Sequence, residues 1–486
     1  MFEFEDLRVL VQAHSPLIVI ESYEEPRALL LIKRLAVNLM RPVFKWTITE
    51  GLQRLDGEHS AQTFNAEPTN LLAQIKATRN PAIFVLCDFH PFLADAKHVR
   101  YLKEIALAHE QLGHTIILLS HAIDIPPELA RLCFRFELSL PSDQQIRQQV
   151  LEMADVYAAK HGLPPEMPAE QLSILVQNLR GLTFAEVKRL AYKAIVDDGA
   201  ITAADMPRIN RAKFSLLQTD GVLSQVFDSG SFDNVIGLGN LKHWIAQRQQ
   251  AFIEQVADTP KGLLLTGVQG TGKSLAAKAI AGSWSLPLLR LDMAALYNKF
   301  IGETEKNLAQ ALALADAMSP CVLWIDEIEK GLAAGDSDGG VSRRLLGSFL
   351  TWLSERKSQV FLIATANNIH ELAPELLRKG RFDEIFFVDL PNAQECRQLL
   401  QLHLQKRQFS LDETALDAAT ALCHGFSGAE LEQAVVGAGF RARAAEQTFA
   451  LAHLTQELSA TQPLSVVMAE QINALRHWAL TRCVKA

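Results

Sequence analysis

Gly267-Val268-Gln269-Gly270-Thr271-Gly272-Lys273-Ser274 follows the apolar run Gly262-Leu263-Leu264-Leu265-Thr266 and precedes the helix-forming run Leu275-Ala276-Ala277-Lys278-Ala279-Ile280-Ala281. A G-x-x-x-x-G-K-[ST] loop between a buried strand and a helix is the context in which this pattern has a physical meaning. Glycines let successive backbone N–H groups turn toward one anion, and the helix N-terminus adds its positive end. Lys273 can reach the β- and γ-phosphates of a nucleotide, and the Ser274 hydroxyl is placed to ligate Mg²⁺. Residues Gly267 to Leu275 are therefore the expected phosphate-binding segment, with ATP and Mg²⁺ as the expected ligands.

Working outward, Cys321-Val322-Leu323-Trp324-Ile325-Asp326-Glu327 reads as a buried strand ending in two carboxylates. Asp326 suits the Mg²⁺ shell, and Glu327 can polarise an attacking water. On its own this is an ordinary strand with polar residues at its mouth, but its place after Lys273 favours hydrolysis. The strand Val360–Ala366 closes on Asn367, whose amide can orient water or the γ-phosphate. Arg378 and Arg381, three residues apart, suit charge developing on phosphate. Gly425-Phe426-Ser427-Gly428-Ala429-Glu430-Leu431 then opens a helix rich in small residues.

These pieces, in this order, resemble the AAA family of ATPases, closest to the branch with katanin, spastin and the membrane-anchored AAA proteases. The resemblance runs from about Ser231 to Gln447. It implies a doubly wound α/β domain with a helical lid and the nucleotide between them. Phe232-Asp233-Asn234-Val235-Ile236-Gly237-Leu238 matches the segment leading into such domains, which puts Ile236 and Gly237 beside adenine. His403 matches a lid histidine near the ribose and base. Gly428 and Ala429 fall where this branch lacks the lid arginine of other ATPases. Asn367 becomes the γ-phosphate sensor, and Arg378 and Arg381 become fingers inserted into a neighbouring subunit, which implies a homo-oligomeric ring, most often a hexamer. Lys299-Phe300-Ile301-Gly302 falls at the central pore loop that grips a protein substrate. Two departures stand out. Ser354-Glu355-Arg356 replaces the Asp-Gly-Leu that signals between subunits, and no H-E-x-x-H is present, which excludes a built-in zinc protease.

The first half carries similar landmarks. Leu17–Ile20, Ala82–Asp88 and Thr115–His121 read as strands and Arg27–Leu39 as a helix, a pattern of parallel α/β structure. Asp88 parallels Asp326, His121 parallels Asn367, Arg135-Phe136-Glu137 echoes Arg381-Phe382-Asp383, and Gly181–Val187 echoes Gly425–Leu431. Repetition in order points to two related modules. Ile20-Glu21-Ser22-Tyr23-Glu24-Glu25-Pro26 fills the loop position without glycine and with three carboxylates, and Phe89 stands in place of Glu327. The first module is expected to be a degenerate ATPase-like α/β domain that does not hydrolyse ATP. His90 reads as a surface or core histidine. The expected organisation is 1–141 degenerate domain, 142–204 lid-like helices, 205–230 polar linker, 231–390 ATPase domain, and 391–486 lid with an amphipathic C-terminal helix at Leu464–Leu480. A degenerate module before one intact AAA module is similar to a family encoded in some plastid genomes and in cyanobacteria and other bacteria.

The 486-residue chain has a formal charge of −8, which argues against a broadly basic nucleic-acid surface. Its apolar runs are strand-length, short of a membrane span. Six cysteines without C-x-x-C spacing fit a reducing, cytoplasm-like or stroma-like compartment. The leading expectation is a Mg²⁺-dependent ATPase ring that remodels or threads a protein substrate. The alternative is an ATP-switched assembly that docks partners through the first module without threading.

Overall fold

The computed structural model describes residues 2–13, 15–55, 63–217, 222–227, 230–254, 258–296, 303–332, 341–378 and 380–486. The chain divides into two compact units. One holds the chain to Pro141 together with Thr183–Ala185; the other holds Ser142–Leu182 and Glu186–Ala486.

The first unit is built on β1 (Leu17–Glu21), β2 (Val43–Thr47), β3 (Gly51–Arg54), β4 (Ile83–Cys87), β5 (Thr115–Ser120) and β6 (Cys133–Phe136). They form a six-stranded sheet in the order β3-β2-β4-β5-β1-β6. All neighbours are parallel except β2 and β3. Alternation along β1 sends Leu17 and Val19 into one apolar cluster and Ile18 and Ile20 into another, so helices cover both faces. The sequence reading found β1, β4 and β5 but not β2, β3 or β6. β3 and β6 have four residues each, β6 exposes Phe134 and Arg135, and Lys45 interrupts β2, so no apolar run announces them.

The second unit repeats the design with β7 (Leu223–Val226), β8 (Gly262–Gly267), β9 (Leu288–Leu291), β10 (Cys321–Ile325), β11 (Val360–Ala366), β12 (Glu384–Val388) and β13 (Val484–Lys485). Their order is β13-β12-β8-β11-β10-β9-β7. Leu263 and Leu265 face one apolar cluster and Leu264 the other. All three are fully buried, each contributing roughly 1.5–3 kcal/mol. Without the edge strands β3, β7 and β13, the sheets read β2-β4-β5-β1-β6 and β9-β10-β11-β8-β12. In chain order within each sheet, both are second, third, fourth, first, fifth.

Backbone geometry sets the register between the two copies. A non-glycine residue in the left-handed region comes just after the third strand of each: Asp88, the first residue beyond β4, at φ 52, and Glu327, the second beyond β10, at φ 50. Asp88 thus stands where Glu327 does, one residue beyond the expected match to Asp326, and Phe89 falls with the equally buried Ile328. Through the strand pairings, His121 falls with Asn367 as expected, and Phe136 falls with Phe386, so the Arg135–Arg381 echo does not hold.

Four helices follow each sheet: Asp143–His161, Ala169–Asn178, Phe184–Asp198 and Met206–Leu217 after the first, and Ala393–Lys406, Glu413–Ala421, Gly428–Ala444 and Leu451–Ala460 after the second. Both sets start from a capping box, Ser142 with Gln145 and Asn392 with Glu395. The expected linker at 205–230 is therefore corrected. Met206–Leu217 completes the first helical set by burying Ile209 in its core, and β7 pairs antiparallel with β9. Of the helix's polar residues, Arg208, Arg211 and Ser215 are exposed, whereas Asn210 and Lys213 are buried.

The C-terminal helix is also corrected. It is two pieces, Leu464–Val467 and Ala469–Ala479, broken at Met468. Leu475 and Ala479 pack into the core beneath the second sheet, not onto the lid, and Arg476 bonds Asp389 at 2.8 Å.

Candidate functional site

The loop between β8 and the helix Lys273–Ser283 borders a cavity of about 540 Å³. A side chain at Gly267 (φ 148) would collide with the Val388 carbonyl of the neighbouring strand, so the loop leaves β8 along a path only glycine permits. Its far end meets the lid: Ala429 N donates to Gly270 O at 3.0 Å. Loop and lid therefore close one space from two sides.

Most expected site residues converge there. Gln269, Gly270, Thr271, Gly272, Lys273, Ser274 and Leu275 line the cavity from the loop, and Asp326, Glu327 and Asn367 from the ends of β10 and β11. Ile236, Gly237, His403, Gly428 and Ala429 line the opposite wall. Gly267 and Val268 lie behind the lining and shape the loop. Arg378 and Arg381 are outside it; Arg378 is exposed, and Arg381 donates to Glu375 O at 2.8 Å. Lys299, Phe300, Ile301 and Gly302 lie outside the described residues.

Local hydrogen bonds set the electrostatics. Lys273 Nζ donates to Gly267 O at 2.9 Å and Val268 O at 2.7 Å. Burial lowers its pKa to about 8, although Glu329, Asp326 and Glu327 act the other way. Ser274 Oγ donates to Asp326 Oδ1 at 3.1 Å. A hydroxyl and a carboxylate this close offer hard oxygen donors of the kind Mg²⁺ takes, so the donor chemistry fits that ion. Asn367 Nδ2 donates to Glu327 Oε1 at 2.8 Å, and Lys330 Nζ pairs with Glu327 at 2.5 Å. His403 is buried, and desolvation lowers its pKa.

Two residues escaped the sequence reading. Thr365 is 1% exposed; its Oγ1 donates to Asp326 at 2.6 Å and accepts from Glu327 N at 2.9 Å, tying the Asp326 carboxylate and the Glu327 backbone to β11. Glu329 is buried and accepts from Asn367 N at 2.8 Å and Asn368 N at 3.3 Å. Burial raises its pKa. Thr365 sits inside an apolar run, and Glu329 looks like a surface carboxylate after the strand; an acid beside the acidic pair was the available signal. Arg356, in the place of the missing signalling motif, lies over the Trp352 ring at 4.5 Å and donates to Lys261 O. It fastens the fold.

Comparisons with known proteins agree with this architecture. Residues 263–390 match the family described as ATPase family associated with various cellular activities (AAA). Residues 4–138 and 144–220 match the N-terminal and second domains of SpoVK-like AAA ATPases. The uncharacterized AAA domain-containing protein ycf46 of Pyropia yezoensis is 35% identical over 485 residues, covering 98% of this chain and 97% of that one. The chain belongs to the AAA family of ATPases. Within the family, the proteasome-activating nucleotidase of Aeropyrum pernix is 38% identical over 198 residues, 39% of this chain and 48% of its own length. The crystal structure of the FIGL-1 AAA domain in complex with ADP covers 56% of this chain and 97% of its own, at 21% identity and a TM-score of 0.48. Among the described residues, no helix of this AAA protein is long and apolar enough to cross a membrane.

Proposed function

We propose that this AAA protein hydrolyses ATP with Mg²⁺ in a homo-oligomeric ring and uses the energy to remodel a protein substrate. One observation carries the reading. The cavity unites the phosphate loop, the Asp326–Glu327 pair and Asn367, yet none of its described lining residues is an arginine. Arg378 and Arg381 stand outside it, as residues serving a second subunit's site would.

In this reading the N–H groups of Gly270, Thr271 and Gly272 cradle the phosphates, and Lys273 swings from the loop carbonyls to the γ-phosphate. Ser274 and Asp326 would hold Mg²⁺, which supplies charge neutralisation at the β- and γ-oxygens. Glu327, positioned by Asn367 and by its backbone bond to Thr365, takes up the proton of the attacking water. Ile236, Gly237 and His403 flank the base. An arginine from the neighbour is worth ~10³–10⁵ in rate. The name of the Aeropyrum pernix relative supports a link to protein handling.

The test is complementation. Arg378→Ala/Arg381→Ala subunits keep an intact site, and Glu327→Gln subunits keep intact arginines. Mixing the two inactive forms should restore turnover, which should also rise with chain concentration in the unmodified protein. Mixtures that stay inactive would refute sites shared between subunits. Glu327→Gln should also retain ATP and co-purify with its client. If Phe300→Ala leaves remodelling intact at unchanged ATPase rate, threading is excluded and ATP-switched docking through the first module takes its place.

A further inference from the structure

The first unit, whose phosphate-loop position is occupied by carboxylates, gathers a different set of donors at the same corner of its sheet. Asp88 follows β4, His90 opens the next turn, and His121 follows β5. One donor atom from each lies within 4.8 Å of those of the other two. We propose that Asp88, His90 and His121 bind one divalent transition-metal ion of the zinc type.

Three observations support the assignment. First, all three side chains face one point. Ser120 Oγ lies 2.9 Å from Asp88 Oδ1, 2.8 Å from His90 Nδ1 and 3.4 Å from His121 Nδ1. With both rings protonated at Nδ1, the hydroxyl accepts from them while donating to Asp88, which leaves each ring the Nε2 lone pair that a metal takes. A cation is the species that two imidazole nitrogens and a carboxylate can share. Second, the donor set selects the ion. Two nitrogens and one oxygen suit zinc and its neighbours, with a fourth position left for water, whereas the Ser274–Asp326 oxygens of the second unit suit Mg²⁺. Third, the nearby carboxylates are already engaged. Glu21 pairs with Arg135 at 2.5 Å and accepts from Ile123 N at 2.8 Å, and Glu24 pairs with Arg27 at 3.0 Å.

Zinc bonds of ~2.0–2.2 Å require the donors to draw closer than they stand. Asp88 and His121 are exposed, while His90 is half-buried. The His121 ring is steered by Tyr23, stacked at 5.9 Å, and meets His90 edge-on at 5.0 Å. Ser120 would then orient the carboxylate and a ring from behind, as partners of metal ligands do. In register, Asp88 and His121 occupy the places of Glu327 and Asn367, so metal ligation replaces ATP chemistry at that corner. The ion would clamp the ends of β4 and β5.

The full-length chain, stripped of metal by chelator and kept free of nucleotide, is titrated with Zn²⁺ by calorimetry and with Co²⁺ by visible absorption, both in millimolar Mg²⁺. One equivalent should bind, and Co²⁺ should show the intense bands of a low-coordinate nitrogen–oxygen site. His90→Gln/His121→Gln should abolish this equivalent, and Asp88→Asn, which keeps shape, should weaken it at least ~10-fold. If the double variant binds zinc as the unmodified chain does, or the unmodified chain binds none, the proposal is wrong. Should the double variant fail to fold, Asp88→Asn decides alone: unchanged affinity refutes the site.

Discussion

Thr365→Val tests the organisation of the candidate ATP site most directly, because it changes hydrogen bonding at nearly constant shape. The Thr365 hydroxyl gives its proton to Asp326 at 2.6 Å and takes one from Glu327 N at 2.9 Å, in a position 1% exposed. The bond to a carboxylate is worth about 1.5–3 kcal/mol, and leaving the Glu327 N–H unpaired costs about 1–3 kcal/mol. Asp326 keeps Ser274 as a second partner at 3.1 Å, so the loss falls toward the lower sum, roughly 3–4 kcal/mol. In a unit of this size each kcal/mol moves the melting temperature by about 1.4 °C, which predicts a drop of roughly 4–6 °C. Turnover should fall further than stability explains, by about 10²-fold, since Glu327 loses the bond that aims it. Thr365→Ser keeps the hydroxyl and should sit near the unmodified protein in both assays. The measurements are a thermal melt without nucleotide and steady-state phosphate release well below the variant's melting temperature. A valine variant that melts within 2 °C of the original and turns over normally would refute the role given to Thr365. So would a serine variant as damaged as valine.

Four further outcomes follow from charges in the second unit. Lys273 has a depressed pKa of about 8 without ligand, and phosphate should return it to the ordinary lysine range. ATP affinity should therefore be full below pH 8 and decline above it, with proton uptake on binding measurable by calorimetry in buffers of different ionisation heat; a flat affinity from pH 7 to 9.5 would exclude this. Lys213 is 1% exposed, has no hydrogen-bond partner for Nζ among the described residues, and is lowered by burial to about 8. Held charged at pH 7 it costs roughly 3 kcal/mol at ~1.4 kcal/mol per pKa unit, so Lys213→Met should raise the melting temperature. Between pH 8 and the unfolded lysine value the unfolded chain binds more protons at both lysines than the native one, so the stability of the unmodified, ligand-free chain should rise with pH there. Denaturant melts at pH 7.5 and 9.5 check the sign. Lys330 is 69% exposed and pairs with Glu327. Removing it as Lys330→Ala should barely change stability but raise basal turnover a few-fold by freeing the carboxylate.

What was legible in the sequence follows from which residues carry a pattern. The strands at the centre of both sheets are buried on two faces and read as unbroken apolar runs, so β1, β4, β5, β8, β10 and β11 were all visible. Edge strands such as β3 and β7 have one exposed side and no such run, so they were not. The phosphate loop was legible because its backbone path demands glycine at fixed spacing. Thr365 and Glu329 were not, because their roles depend on which strand ends lie side by side, and that is set by the 2-3-4-1-5 order. The helix Met206–Leu217 was recoverable from the repeat itself: the second unit has a fourth lid helix at Leu451–Ala460, and carrying the repeat one helix further would have filled the supposed linker.

The two sheets share strand order and even the left-handed residue after the third strand, so the difference in their chemistry must arise from the loops. Between β8 and its helix lie Val268–Gly272, five residues with two glycines; between β1 and its helix lie only Ser22–Glu24. Three residues cannot encircle a phosphate, and without glycine their N–H groups do not turn inward together. Glu24 instead closes on Arg27, Glu21 on Arg135, and Glu25 on Lys45 at 3.4 Å. Each of these three cations is neutralised within the unit, so a phosphate approaching them would have to displace a carboxylate already in place. The first unit thus differs from the second at this corner by a shorter turn and by paired charges, on a sheet of the same strand order. That shared corner is what allows Asp88, His90 and His121 to converge, since the same strand ends that bring Asn367 to Glu327 in the second copy bring two histidines to an aspartate in the first.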